Sequence, residues 1–314
     1  MEKDEINEYD NSRYEEFFQE AIKSQKEIEK YKKTGAYQNY ISICKRIAKL
    51  IKNLAGDIQD DRMYMAIFAY LYRNGYLSAN KHFEFGDDNE EIGCNLGLSV
   101  ISGKGVCRNV ASLFKDILKA IKDEKNGIMM VGTNVSEEKN SFIPMNELPK
   151  EFRMNHATST RSGTQNGKKH KFIPTHAEVI VMDKDDESYS FMLYDPTNIR
   201  ITRINYSSTV SERRAIDFRC GIWDINTHLS TLEERQAFIN KYRKIAQRIE
   251  TSKREEYTKE DLKLILEFAR RQCNANKDKI EELYKDNKMW YSIMKEQKEN
   301  FFKELNEGKE NEVR

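Results

Sequence analysis

The sequence predicts an α+β fold, helical at both ends and stranded in the middle. All four prolines (Pro144, Pro149, Pro174, Pro196) fall between residues 144 and 196, whereas neither glycine nor proline occurs between Gly221 and Gly308. Proline removes a backbone donor and interrupts helices, so turns and sheet edges belong to the middle of the chain. Apolar residues recur at three-and-four spacing behind Cys107 but alternate from Thr175 to Met182, the two signatures of a core helix and of a strand.

The 314 residues suffice for one large or two modest domains. Their expected boundaries are 1–75 for an N-terminal helical region, 76–222 for a central core and 223–314 for a region of long helices. Charged residues make up 33% of the chain, yet 53 basic and 52 acidic side chains leave a net charge of +1, which gives no support for a nucleic-acid partner. No stretch of eighteen apolar residues occurs and Met-Glu-Lys-Asp-Glu opens the chain, so a soluble, cytoplasmic protein without a membrane segment is expected. Cys44, Cys94, Cys107, Cys220 and Cys273 are scattered, with no C-x-x-C pair; neither a disulfide framework nor a metal or cofactor site is expected from them.

Ser12 to Glu15 reads as a capping box, followed by Phe17, Phe18, Ala21, Ile22 and Ile28 on one face. After Thr34-Gly35 a second helix carries Tyr40, Cys44, Ile47, Ala48, Ile51 and Leu54, and Gly56 ends it. A third runs from about Asp60 to Arg73, with Met63, Ile67, Phe68 and Leu71 at core spacing before Asn74-Gly75. From Tyr76 to Val100 the pattern is irregular; His82 and Cys94 are two candidate ligands where a metal would need more.

Ser102 to Ile121 puts one cysteine at the start of a core helix whose buried face is Val110, Leu113, Phe114, Ile117, Leu118 and Ile121. Gly103 and Gly105 let the backbone turn into it, and the helix N-terminus favours a thiolate over a thiol. A small buried cysteine capping an apolar stripe would leave the same local signature. Asn126-Gly127 then ends the helix and Ile128 to Val135 reads as a strand. Asn155 to Lys171 is polar enough to be a mobile loop, and its His156 and His170 read as solvated.

In the strand Thr175 to Met182, His176, Glu178, Ile180 and Met182 share one face. Ser188 to Thr197 follows, and the acidic turn between them predicts an antiparallel hairpin. A turn centred between Asp185 and Asp186 sets His176 opposite Asp195, with Cβ atoms roughly 4.5 to 5.5 Å apart. A helix-terminal cysteine needs a base, and the base needs a group that holds its tautomer. Cys107, His176 and Asp195 fill those roles. Arg200 to Ser208 predicts a further strand, Ile216 to Trp223 closes the region, and Thr231 and Thr258 start two long helices. Leu262, Ile265, Ala269, Cys273, Ile280, Leu283, Tyr284, Trp290, Ile293 and Met294 form the apolar stripes of the last third.

Gly-Val-Cys, Thr-His-Ala and Asp-Pro-Thr, in that order over residues 98 to 200, resemble the three-motif signature of the transglutaminase-like superfamily, the papain-related group of cysteine peptidases and transglutaminases. The resemblance implies a papain-like core, a cysteine-bearing helix packed on an antiparallel sheet. It implies Cys107 as nucleophile, His176 as base and acid, and Asp195 as the residue orienting His176. Glu178 stands where members often have tryptophan. The activity implied is a cysteine-dependent amide hydrolase, peptidase or amidase, acting on a protein or peptide. A protein-glutamine transglutaminase would use the same triad. A non-enzymatic interaction module would bind through the C-terminal helices, whose stripes need the core, a second copy or a partner to cover them.

Overall fold

In the computed structural model, Thr34 opens α1 (Gly35–Ala55) by accepting the Tyr37 N–H on Oγ1 at 3.3 Å, and Gly56, at φ 59°, ends it. The structure describes residues 30, 32–86, 97–101, 103–123, 128–133, 143, 145–154, 164–165, 168–169, 176–184, 189–205, 216–217, 253–256 and 259–312. The expected helix after Ser12, Cys94, His156, His170, Cys220, Trp223 and the helix start at Thr231 lie outside those residues.

Asp60 caps α2 (Asp61–Arg73), and every residue from Met63 to Tyr72 is buried, so this helix is enclosed on all sides. A two-residue strand β1 (Glu84–Phe85), a short helix α3 (Leu98–Ile101) and β2 (Lys104–Gly105) lead to α4 (Cys107–Lys122). Tyr40 of α1 donates to Asp116 of α4 at 2.7 Å. Phe114 of α4 packs on Phe68 of α2, with ring centroids 5.1 Å apart. Truncating a ring so enclosed would cost about 3–5 kcal/mol.

The main sheet has six antiparallel strands: β3 (Ile128–Thr133), β6 (His176–Lys184), β7 (Tyr189–Asp195), β8 (Arg200–Asn205), β9 (Ile216–Asp217) and β10 (Lys253–Glu256). Their order is β10-β8-β7-β6-β3-β9. A small hairpin, β4 (Thr164–Gln165) with β5 (Lys168–Lys169), interrupts the stretch expected to be a loop. Helix α4 lies against β6 and β3, with Phe114 edge-on to Tyr194 of β7. The fold is therefore α+β, and its cysteine-bearing helix packs on an antiparallel sheet. From Ala177 to Val181 consecutive residues are buried, so both faces of β6 are covered.

Helices α5 (Lys259–Ala275) and α6 (Lys277–Glu312) pack on α2 and α1, and their buried side chains join one cluster with those of α1, α2, α4 and the sheet. Lys263 pairs with Glu147 at 2.7 Å, and Arg46 of α1 donates to Asn287 of α6 at 3.1 Å. The expected helix start at Thr258 is followed by α5 from Lys259, and one expectation is corrected. The stripe of α6 runs through Ile280, Tyr284, Asn287, Tyr291 and Met294, leaving Trp290 36% exposed, because packing against α1 selects a phase that admits polar-tipped side chains. Residues 253–256, next to the expected helix start at Thr258, are an edge strand paired with β8.

Candidate active site

Cys107 is the first residue of α4, and the chain reaches it through a tied segment. Gly103 has φ 95°, and β2 pairs in parallel with β1, Glu84 beside Lys104 and Phe85 beside Gly105. The Glu84 N–H donates to the Gly103 carbonyl at 2.9 Å and the Gly86 N–H to the Gly105 carbonyl at 3.0 Å. Asn109, three residues into the turn, accepts the Val106 N–H on Oδ1 at 3.0 Å. A Cβ at Gly105 would sit 3.1 Å from that of Asn109, so the backbone lies directly on this side chain. Side-chain periodicity does not reveal Asn109; its position three residues after Val106, where a capping side chain reaches back, is the only signal.

Accessibility separates the described cysteines. Cys107 is half-buried against the core, whereas Cys44 and Cys273 are fully enclosed. Burial, reinforced by the Asp116 charge, pushes the Cys44 thiol well above its ordinary value, and burial pushes Cys273 up to about 12.

The hairpin register differs from the expected one by two residues. Val179 faces Tyr194 and Ile180 faces Leu193. Asp195 therefore stands across from Glu178, one step past the last ladder pair, and His176 is diagonal to it rather than opposite, at roughly 7–8 Å. The displacement arises because residues 185–188 connect the strands, which centres the turn one residue later than the acidic run suggested. His176 itself begins β6 and faces Thr133 of β3.

Asp195 is fully buried and organises the turn after it. Its Oδ1 accepts the N–H groups of Thr197 (3.0 Å) and Asn198 (2.9 Å), and its Oδ2 accepts the Asn198 side-chain amide at 2.8 Å. These bonds fix the carboxylate's direction without help from the hairpin. Tyr194 packs on α4, so strand alternation turns Asp195 to the other face, in a row with Glu178 and Arg200. Arg200 reaches across β7 to pair with Glu178, and both are buried. Glu178, a surface-type charge that could face the cleft beside His176 or pair with a neighbouring cation, takes the second course; its partner is a strand away on β8.

Helix α2 holds the same turn from below. The Tyr72 hydroxyl donates to the Pro196 carbonyl at 2.9 Å, and the Arg73 guanidinium donates to the carbonyls of Phe152 and Thr197 and, through Nε, to the Tyr72 oxygen at 2.9 Å. Burial raises the Tyr72 hydroxyl, the Arg73 charge and hydrogen bond partly offset this, and the Asp195 charge raises it further. The Tyr72 ring also meets Phe83, just before β1, edge-on at 5.2 Å. Tyr72 therefore touches both the segment that pairs with the approach to Cys107 and the turn that carries Asp195. Sequence periodicity treated these two residues only as the end of a core helix.

Among the described residues no group of three potential metal ligands occurs, and no helix is long and apolar enough to cross a membrane. No protein-family model matches the chain, and no curated protein or solved structure matches it.

Proposed function

We propose that the protein is a cysteine-dependent amide hydrolase of the transglutaminase-like type, with Cys107, His176 and Asp195 as its triad. The observation that supports this most is the double contact of Tyr72: one side chain braces both the strand paired with the approach to a half-buried helix-terminal cysteine and the turn of a buried, oriented carboxylate. His176 and Asp195 both stand beyond the last pair of the β6–β7 ladder, with strand alternation turning both to the sheet face away from α4, so the reading requires their side chains to meet Cys107 around that end of the sheet.

In this mechanism the Cys107 thiolate attacks the amide carbon while the protonated His176 imidazole gives its proton to the leaving amine. A thioester remains. His176 then takes a proton from water, hydroxide equivalent adds to the thioester carbon, and the acid leaves as Cys107 regains its thiolate and His176 its positive charge. Asp195 holds the imidazole in one tautomer and stabilises its cation. Since Glu178 is occupied by Arg200, no free carboxylate there recruits an amine acceptor. Hydrolysis is accordingly preferred over transfer.

The test is to incubate the protein with glutamine-containing peptides, with and without a millimolar primary amine, and to weigh the products. Free acid that disappears in Cys107→Ala supports the hydrolase. Predominant amine adduct makes the protein a transglutaminase, and product formation independent of Cys107 overturns both.

A further inference from the structure

We propose that Tyr72 and Arg73 are positioning residues of this site, clamping the turn from Asp195 to Ile199 so that the Asp195 carboxylate stays aligned with His176. The proposal rests on the triad reading above and adds a role for a helix that none of the three motifs includes.

The turn carries a demand that its own residues do not meet. Ile199 is β-branched, fully buried and at φ 53°, a conformation such residues rarely adopt. A backbone state of this kind persists only where the surroundings hold it. The holding groups come from consecutive residues of one helix. Arg73 spends its two terminal amino groups on two carbonyls, one at Thr197 in the turn and one at Phe152 in the segment beside it, and its Nε on the Tyr72 hydroxyl. Tyr72 in turn holds the carbonyl of Pro196, the residue bonded to Asp195.

The fork is specific to arginine. A lysine ammonium is a point donor on a flexible stem and does not span two carbonyls in a fixed plane. The ring of Tyr72, wedged against Phe68 and Phe83, contributes packing that phenylalanine would preserve, so its hydroxyl can be tested alone. Bonds of this kind also serve folding. The distinguishing feature is that Tyr72 and Arg73 together hold the carbonyls of Pro196 and Thr197, the two residues immediately after Asp195.

The experiment follows the rate of Cys107 alkylation by iodoacetamide, read by peptide mapping, from acid to alkaline pH in the full-length chain. Tyr72→Phe and Arg73→Lys are compared with the parent, each alone and in a His176→Gln background, and unfolding midpoints are recorded for all. The expected result is that each variant moves the lower limb of the profile upward by about 0.5–1 pH unit, because a misaligned Asp195 stabilises the imidazolium less. In the His176→Gln background neither has an effect. If His176→Gln changes the profile but the clamp variants do not, or if they shift it equally without His176, the positioning role is overturned while the triad stands. A merely structural role would lower the midpoint and leave the limb in place. If the parent already titrates as an ordinary thiol and His176→Gln changes nothing, the triad reading and the clamp fall together.

Discussion

Glu178 and Arg200 form a buried ion pair across β7, the strand that ends in Asp195, with 0% and 2% of their surfaces exposed. Two carboxylates and one guanidinium therefore share a row of the sheet. Isolated buried charges are costly, so removing one partner should destabilise far more than removing both. Glu178→Ala is expected to lower the unfolding free energy by about 3–5 kcal/mol, whereas Glu178→Leu with Arg200→Met recovers most of the loss. Urea unfolding of the parent and the two variants measures this. A single substitution that costs no more than the double one would show that the pair is hydrated in solution.

Asp195→Asn should damage both stability and chemistry. From the hairpin alone, the amide would be expected to leave the fold intact and to mis-set only the histidine tautomer. The structure adds three donors aimed at the carboxylate, and an asparagine places its own NH2 against at least one of them. A loss of about 1–3 kcal/mol in stability is expected, together with a fall in turnover of orders of magnitude. Unfolding curves and rates on the same preparation separate the two effects; an unchanged midpoint would show that the turn does not depend on the charge.

Asp60 gives a pH-dependent contribution at the start of α2. Burial alone would raise its carboxyl, but hydrogen bonds from the Arg62 side chain and N–H, with the Arg62 and Lys122 charges, hold it below its ordinary 3.8. A group whose value is lower in the folded state stabilises above its unfolded value and loses that contribution as pH falls through the folded one. Asp60→Asn keeps a capping side chain while removing the charge. The stability gap between parent and variant should be largest at neutral pH and should shrink below about pH 4. A gap that is flat from pH 7 to pH 2 would contradict the charge-assisted cap.

Much of the scaffold was legible because it is local. Thr34 and Gly56 bound α1 where cap chemistry places them, and the stripe from Val110 to Ile121 is the buried face of α4. The strands around His176 and Asp195 were also visible by alternation. Their register was not, since a turn centred one residue later shifts every pairing by two residues while keeping the same face pattern. An ion pair at Glu178 was the expected course for a charged side chain, but its partner was not legible, because Arg200 lies on another strand and no local rule joins them. Tyr72 and Arg73 were invisible for the same reason: their role is set by carbonyls that only the tertiary fold brings near.

The proposed triad requires that Cys107 carry a thioester during turnover. Acid-quenching the protein within the first turnover of an activated peptide ester, then mapping the digested chain by mass, should find the acyl group on the peptide containing Cys107, removable by hydroxylamine and absent from Cys107→Ala. Acyl mass on a different residue, or turnover undiminished in Cys107→Ala, would show that Cys107 is not the nucleophile.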